Sequence, residues 1–176
     1  MSPEKERILL HTCCGPCATT CVERLAPDYE VILFFSNSNI APEAEYLKRL
    51  EHAGKLSKIL NIAIREDVYD HRAWLEHVRG LEDEPERGKR CEKCFAFSLA
   101  RTAAVAGELQ IPAFTTSLSV SRYKSSLTIF SLGREYQAFE AIDFKKRNGY
   151  ARSIELSRQY GLYRQNYCGC EFSMKP

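Results

Sequence analysis

The sequence predicts an α/β fold, a mostly parallel sheet with helices on both faces. Three observations predict it. Short apolar runs alternate along the chain with longer segments whose apolar residues recur at helical spacing. The runs Ile8-Leu9-Leu10 and Val31-Ile32-Leu33-Phe34-Phe35 are continuous rather than alternating, the pattern of buried parallel strands. Polar loops then follow the strands, at His11–Cys17, Ser36–Asn39 and Ser117–Ser121. In a parallel sheet these loops share the C-terminal edge, where open α/β folds bind ligands.

Taken in order, residues 7–12 read as strand and 17–26 as helix, broken by Pro27-Asp28. Pro16 suits a first helical position, because its missing N–H would have no partner there. Glu30–Phe35 is a second strand. Pro42 opens a long helix to about Leu60, with Tyr46, Leu47, Leu50, Ala53, Leu56, Ile59 and Leu60 as its apolar stripe. Ile62–Arg65 is a short strand and His71–Val78 a helix. Gly80–Gly88 is a charged loop, and Cys94–Leu109 a helix rich in Ala and Leu. Ala113–Ser117 is a fourth strand. Ser125–Phe139 is a helix with a weak point at Gly133, and Ala141–Phe144 a short strand. Ile154–Tyr160 is the last helix, stopped at Gly161. The tail Leu162–Pro176 carries aromatics and cysteines without periodicity.

A chain of 176 residues suits one domain, 1–176, with a real core. No apolar run approaches the ~18 residues of a membrane span, and the charged N-terminus is no secretory signal, so a cytoplasmic protein is expected. The net charge of +2 is uneven. Residues 119–176 hold 10 Lys or Arg against 5 Asp or Glu, whereas the rest holds 15 against 18. A basic C-terminal part fits either a phosphate-bearing partner or a solvated charged face.

Eight cysteines in a cytoplasmic chain point to metal or redox chemistry rather than structural disulfides. They fall in three groups: Cys13, Cys14, Cys17 and Cys21; Cys91 and Cys94; Cys168 and Cys170. The first group sits on a strand-to-helix turn, where the helix dipole favours a thiolate. Cys91-Glu-Lys-Cys94 has a spacing used by both zinc and iron–sulfur sites. Cys17 is open between ligand and core residue, and Cys21 reads as a small apolar core residue. Gly169 allows Cys168 and Cys170 either a strained, easily reduced disulfide or a shared metal. His11 reads as a neighbour of the thiols rather than a ligand. Asp143 is an iron ligand, an acid, or neither. Tyr123-Lys124 can bind phosphate or donate a proton, or form an exposed helix start. Arg147, Arg152, Arg158 and Arg164 interleave with Tyr150, Tyr160, Tyr163 and Tyr167, a composition suited to RNA.

Several stretches together resemble one family. They are Leu10-His-Thr-Cys-Cys-Gly-Pro-Cys17, Asn37-Ser-Asn-Ile40 with Glu45-Tyr46, Arg90-Cys-Glu-Lys-Cys-Phe95, Phe114-Thr-Thr-Ser-Leu118, Tyr123-Lys124 and Leu162-Tyr-Arg-Gln-Asn-Tyr-Cys-Gly-Cys170. Over about Ile8 to Ser173 the chain resembles the QueH-type epoxyqueuosine reductases. It departs from their pattern at Ser38, Ala41, Ser98 and Arg122, none of them a sulfur ligand. The resemblance implies a Rossmann-like fold related to PP-loop, adenine-nucleotide-binding domains. It implies two-electron removal of the epoxide oxygen of epoxyqueuosine at the tRNA wobble position, giving queuosine. By motif position it implies a 4Fe–4S cluster on Cys13, Cys14, Cys91 and Cys94. Cys168 and Cys170 would then be a redox-active pair or ligands of an additional mononuclear iron. Asp143 joins them as a catalytic candidate, and Tyr123, Lys124, Arg152, Arg164 and Tyr167 as contacts of the tRNA anticodon loop. An external electron donor completes the reaction. Two other readings compete. One is a zinc-stapled, non-catalytic RNA-binding module. The other is a nucleotide-dependent tRNA thiolase, disfavoured because no Ser-Gly-Gly-x-Asp-Ser loop follows the first strand.

Overall fold

A computed structural model describes residues 4–174. The order is β1 (Glu6–His11), α1 (Gly15–Leu25), β2 (Tyr29–Phe35), α2 (Glu43–Leu60), β3 (Ala63–Glu66), α3 (His71–His77), α4 (Lys89–Glu108), β4 (Ala113–Thr116), α5 (Ser126–Gly133) and α6 (Gly149–Gln159). Short 3-10 turns lie at Ser117–Val120 and Glu171–Ser173. The strands form one parallel sheet in the order β3-β2-β1-β4. In register, Leu10 sits opposite Leu33 on one side and Thr115 on the other. The sheet is built outward from β1 through β2 to β3, then resumes on the opposite side with β4. That makes β1–β4 the topological switch point, where loops leaving neighbouring strands diverge and open a crevice.

The continuous apolar strands follow from burial on both faces. Ile8 and Leu10 of β1 join Ala18, Val22 and Leu25 of α1, Val31 and Leu33 of β2 and Leu56 of α2 in one core. Leu9 points the other way, into a second core with Phe34, Leu99, Val105 and Phe114. Burying each such side chain contributes about 1.5–3 kcal/mol, so the two cores hold helices on both faces. No helix among the described residues is long and apolar enough to cross a membrane.

Five elements differ from the sequence expectation, each for a physical reason. The last helix, α6, starts at Gly149 rather than Ile154, with Gly149 packed so closely on the Phe144 carbonyl that no Cβ would fit. Helix α4 starts at Lys89 rather than Cys94. Its Arg90 is 2% exposed and donates to the carbonyls of Leu81, Glu82 and Glu84, folding the charged loop against the helix start. Helix α5 stops at Gly133, where a Cβ would lie 2.2 Å from the Phe139 ring, so the chain turns there to seat that ring. Residues 141–143 form no strand; the nearest pairing is a single bridge between Phe114 and Phe139. Helix α2 buries Tyr46, Arg49, Ala53, Leu56 and Ser57, leaving Leu47 and Ile59 largely exposed, because its inner face also meets the C-terminal tail.

Candidate active site

The turn after β1 is held by its neighbours. His11 Nδ1 lies 2.8 Å from Thr116 Oγ1 at the end of β4, and Nε2 lies 3.0 Å from the Ser36 carbonyl after β2. Burial lowers the pKa of His11, despite opposing contributions from Cys13, Ser36 and Asp67. Asn37 Nδ2 donates to the Thr12 carbonyl at 2.9 Å. The Cys13 amide donates to Ser117 Oγ at 3.1 Å, and that hydroxyl lies 3.2 Å from Cys13 Sγ. The turn is thus tied to the loops leaving both neighbouring strands.

Cys14 is the N-cap of α1, its sulfur accepting the Cys17 amide at 3.4 Å. The sulfurs of Cys13, Cys14 and Cys17 all lie within 4.8 Å of one another. Hydrogen bonds from the Cys13 and Cys17 thiols hold the Cys14 thiol well below its ordinary range. The same sharing holds Cys17 well above that range and Cys13 above it. The structure adds Cys17, which the sequence left open, to this set, and puts fully buried Cys21 in the sheet-face core.

The other four cysteines form a second set. Cys91 and Cys94 stand one turn apart near the start of α4, on neighbouring positions of one face. Burial pushes both thiols up, reinforced by Cys168 and Cys170. The Arg87 amide donates to Cys91 Sγ at 3.2 Å. Cys94 and Cys170 pack in an apolar cluster with Trp74 and Val78. The two sets approach through shared packing, since Cys13 and Cys91 lie against the same Phe95–Leu118–Ile129 cluster.

All eight cysteines are free, so the Cys168–Cys170 disulfide, one of the expected alternatives, is not formed in this structure. The reason lies in their different neighbours. Cys168 lines the cavity, whereas Cys170 is buried with Trp74. Between them Gly169 adopts φ +145°, a region that side chains rarely occupy. Its carbonyl accepts the Ala41 amide at 2.9 Å. Buried Arg49 clamps the same turn, donating to the carbonyls of Cys168 (2.9 Å) and Tyr167 (3.1 Å) while pairing with Glu45 (2.7 Å). Sequence reasoning missed Arg49. Its signal was a charged residue three positions after Tyr46, on the buried face of an amphipathic helix.

One cavity of about 760 Å3 unites these parts, lined by Cys13, Cys17, Cys94 and Cys168 among others. Tyr123, Lys124, Arg164 and Tyr167, expected as tRNA contacts, line it as well. Burial alone would lower the pKa of Lys124, but the charge of the Cys168, Cys13, Cys17 and Cys14 sulfurs, when ionised, overrides it and raises the ammonium above the ordinary lysine range. Two expected site residues are not brought here. Arg152 pairs with Glu23 and Glu155 and lines a separate surface pocket between α1 and α6. Asp143 accepts the Lys145 amide at 3.1 Å in a local turn, and does not line the cavity.

Fold and site together define a parallel α/β protein that gathers cysteine thiols and a lysine around one cavity at its switch point. The sequence matches the family described as epoxyqueuosine reductase QueH over residues 8–176. Relatives of that description include proteins from Streptococcus pyogenes (38% identical, covering 96% of this chain and 70% of the relative) and Haemophilus influenzae (36%, 96% and 72%). Another is from Thermotoga maritima (34%, 95% and 90%). The chain belongs to the QueH epoxyqueuosine reductase family. Among solved structures it is similar to the U34-tRNA thiolase NcsA from Methanococcus maripaludis with its [4Fe-4S] cluster. The TM-score is 0.55 at 10% identity, over 98% of this chain and 62% of that one. That likeness concerns the fold alone, and agrees with the Rossmann-like, PP-loop-type architecture expected.

Proposed function

We propose that this protein reduces epoxyqueuosine to queuosine at the wobble position of tRNA. The observation that carries the reading is the cavity, where thiols from three distant segments meet a lysine and a basic, aromatic wall, in a chain of the QueH family. The reaction removes one oxygen as water, so it consumes two electrons and two protons and leaves an alkene. An external reductant supplies the electrons.

The donor set fits an iron–sulfur group. It is all sulfur, three of the sulfurs lie within 4.8 Å, and thiolates suit iron–sulfur or zinc rather than hard cations. Trp74 Nε1 is buried beside Cys94, short of a full hydrogen bond but close enough to favour its thiolate, a donor that a metal-bound thiolate there would satisfy. Cys13 and Cys14 with Cys91 and Cys94 are the proposed ligands, with Cys17 as a further donor in the first set. A 4Fe–4S cluster held there would supply electrons one at a time.

The chain's own residues do the rest. Lys124 holds a proton at Nζ on the cavity wall, and its charge offsets the negative charge of the thiolates. Ser117 and Asn37 tie the β1 turn to the loops after β4 and β2. Arg49 and Gly169 aim Cys168 into the cavity. Carboxamides of Asn37, Asn39, Gln165 and Asn166 line the wall as hydrogen-bonding groups for a nucleoside. Arg164 adds positive charge for the RNA backbone.

The test is anaerobically reconstituted protein with tRNA bearing epoxyqueuosine and a chemical reductant, read by nucleoside mass spectrometry. Loss of one oxygen mass supports the reading. Unchanged nucleoside, with stoichiometric zinc and no acid-labile sulfide, would instead establish the zinc-stapled RNA-binding module.

A further inference from the structure

The rim of the cavity holds a stack of side chains of which only Tyr123 was expected as a contact of the anticodon loop. Arg87 comes from the loop before α4, Arg122 and Tyr123 from the loop before α5, and Tyr150 from the first turn of α6. The Arg87 guanidinium carbon lies 5.3 Å from the centre of the Tyr123 ring. That of Arg122 lies 4.9 Å from the same ring and 5.0 Å from the Tyr150 ring. Arg122 also donates to the Tyr123 hydroxyl at 2.7 Å. Both arginines are exposed, and Tyr123 is half exposed. Among the described residues, neither guanidinium makes a salt bridge. Three segments far apart in sequence therefore converge on an alternating row of rings and unpaired positive charges.

The row is continuous with the site. Arg87, Tyr123 and Tyr150 line the cavity, and the Arg87 amide donates to Cys91 Sγ. A core-forming cluster would bury its rings, and a solvated charged face would pair its arginines with carboxylates; this row does neither. Ring faces and guanidinium planes are the surfaces on which splayed bases of a single-stranded RNA loop stack, with the charge favouring the phosphates alongside.

We propose that Arg87, Tyr123, Arg122 and Tyr150 form the platform on which the anticodon-loop nucleotides flanking the reacting one stack, while the reacting nucleoside enters the cavity. The proposal rests on the tRNA reading above and assigns the neighbouring bases to a definite surface. It implies that affinity for the loop comes from the rim and does not require the modified base.

The experiment measures binding of a fluorescent synthetic anticodon stem-loop RNA, with guanosine at the wobble position, to the reconstituted full-length protein by anisotropy. Tyr123→Leu and Tyr150→Leu should each weaken binding about tenfold or more, the range expected for losing one stacked base. Tyr123→Phe and Tyr150→Phe should bind like the parent, which also shows that ring loss rather than misfolding is responsible. The Leu variants should keep the parent's salt dependence, since no phosphate contact is lost. Leu variants that bind as tightly as the parent, or Phe variants as weak as Leu, overturn the platform. The parent's activity on epoxyqueuosine-bearing tRNA is scored separately. Ring-dependent binding without reduction supports the platform and sinks the reductase reading. Reduction with ring-independent binding does the opposite.

Discussion

Replacing Gly169 with alanine should damage activity out of proportion to stability. Gly169 holds φ +145°, and a Cβ there would meet Asn39 Nδ2 at 3.1 Å, Ile40 Cγ1 at 3.1 Å and Arg49 Nη1 at 3.3 Å. The backbone strain costs about 1–3 kcal/mol. The tight contacts add an overpacking cost of about 1–3 kcal/mol where neighbours cannot give way. Against this stand four hydrogen bonds that dock the turn: Ala41 amide to Gly169 carbonyl, Tyr167 hydroxyl to Ala41 carbonyl (2.6 Å), and two from Arg49. At about 1 kcal/mol for the neutral pair members and about 1.5–3 kcal/mol for those from a charged group, they sum to roughly 5–8 kcal/mol. Docking outweighs strain, so the turn stays in place and shifts by tenths of an ångström, misaiming Cys168. For a chain of this size, the lost ~2–6 kcal/mol corresponds to a Tm decrease of about 4–24 °C. The assay pairs thermal denaturation with turnover on epoxyqueuosine-bearing tRNA, and a loss of at least tenfold in kcat is expected. Gly54→Ala is the control: it lies in α2 with no atom within 4 Å of its would-be Cβ, and should gain about 0.5–1 kcal/mol. A Gly169→Ala protein with the parent's Tm and kcat would refute the reasoning.

Other outcomes follow from the same geometry. Arg49→Met removes both carbonyl clamps and leaves the Glu45 carboxylate without its guanidinium, so Cys168 should be alkylated faster by iodoacetamide while α2 stays folded; an unchanged rate would show that the clamp is dispensable. Cys168→Ala and Cys170→Ala should abolish turnover yet keep most of the iron–sulfur absorption near ~400 nm, whereas Cys91→Ala should lose iron and sulfide together. Equal loss of iron in a tail variant would make the tail a ligand source. Burial pushes the Asp67 carboxyl up, but Arg101 (2.6 and 2.9 Å) and Ser36 (2.7 Å) bring it below the usual value. Its native pKa is thus below the unfolded ~3.9, so its contribution is complete above about pH 4 and is lost as pH falls through the native value. Asp67→Asn should cost about 1–3 kcal/mol at pH 7, discounted for the partly exposed Arg101, and flatten the acid limb of urea midpoints; a parallel limb would refute the assignment.

The sequence by itself determined the fold class and the location of the thiols. Apolar runs between helical stripes require strands buried on both faces, and such strands place the Cys13 turn and the Ser117 loop on one sheet edge. That information is local, carried by the period of burial and by turn residues. Tertiary structure alone decided which side chains meet. It joined Cys17 to Cys13 and Cys14, set Cys91 and Cys94 beside Cys168 and Cys170, and turned Arg152 toward Glu23. It also made Arg49 a buried clamp rather than a solvated helix residue. These pairings depend on how helices and tail cross the sheet, which summed packing over the whole chain decides. A run of residues specifies its own period, but a charge finds its partner only when distant segments fold against it.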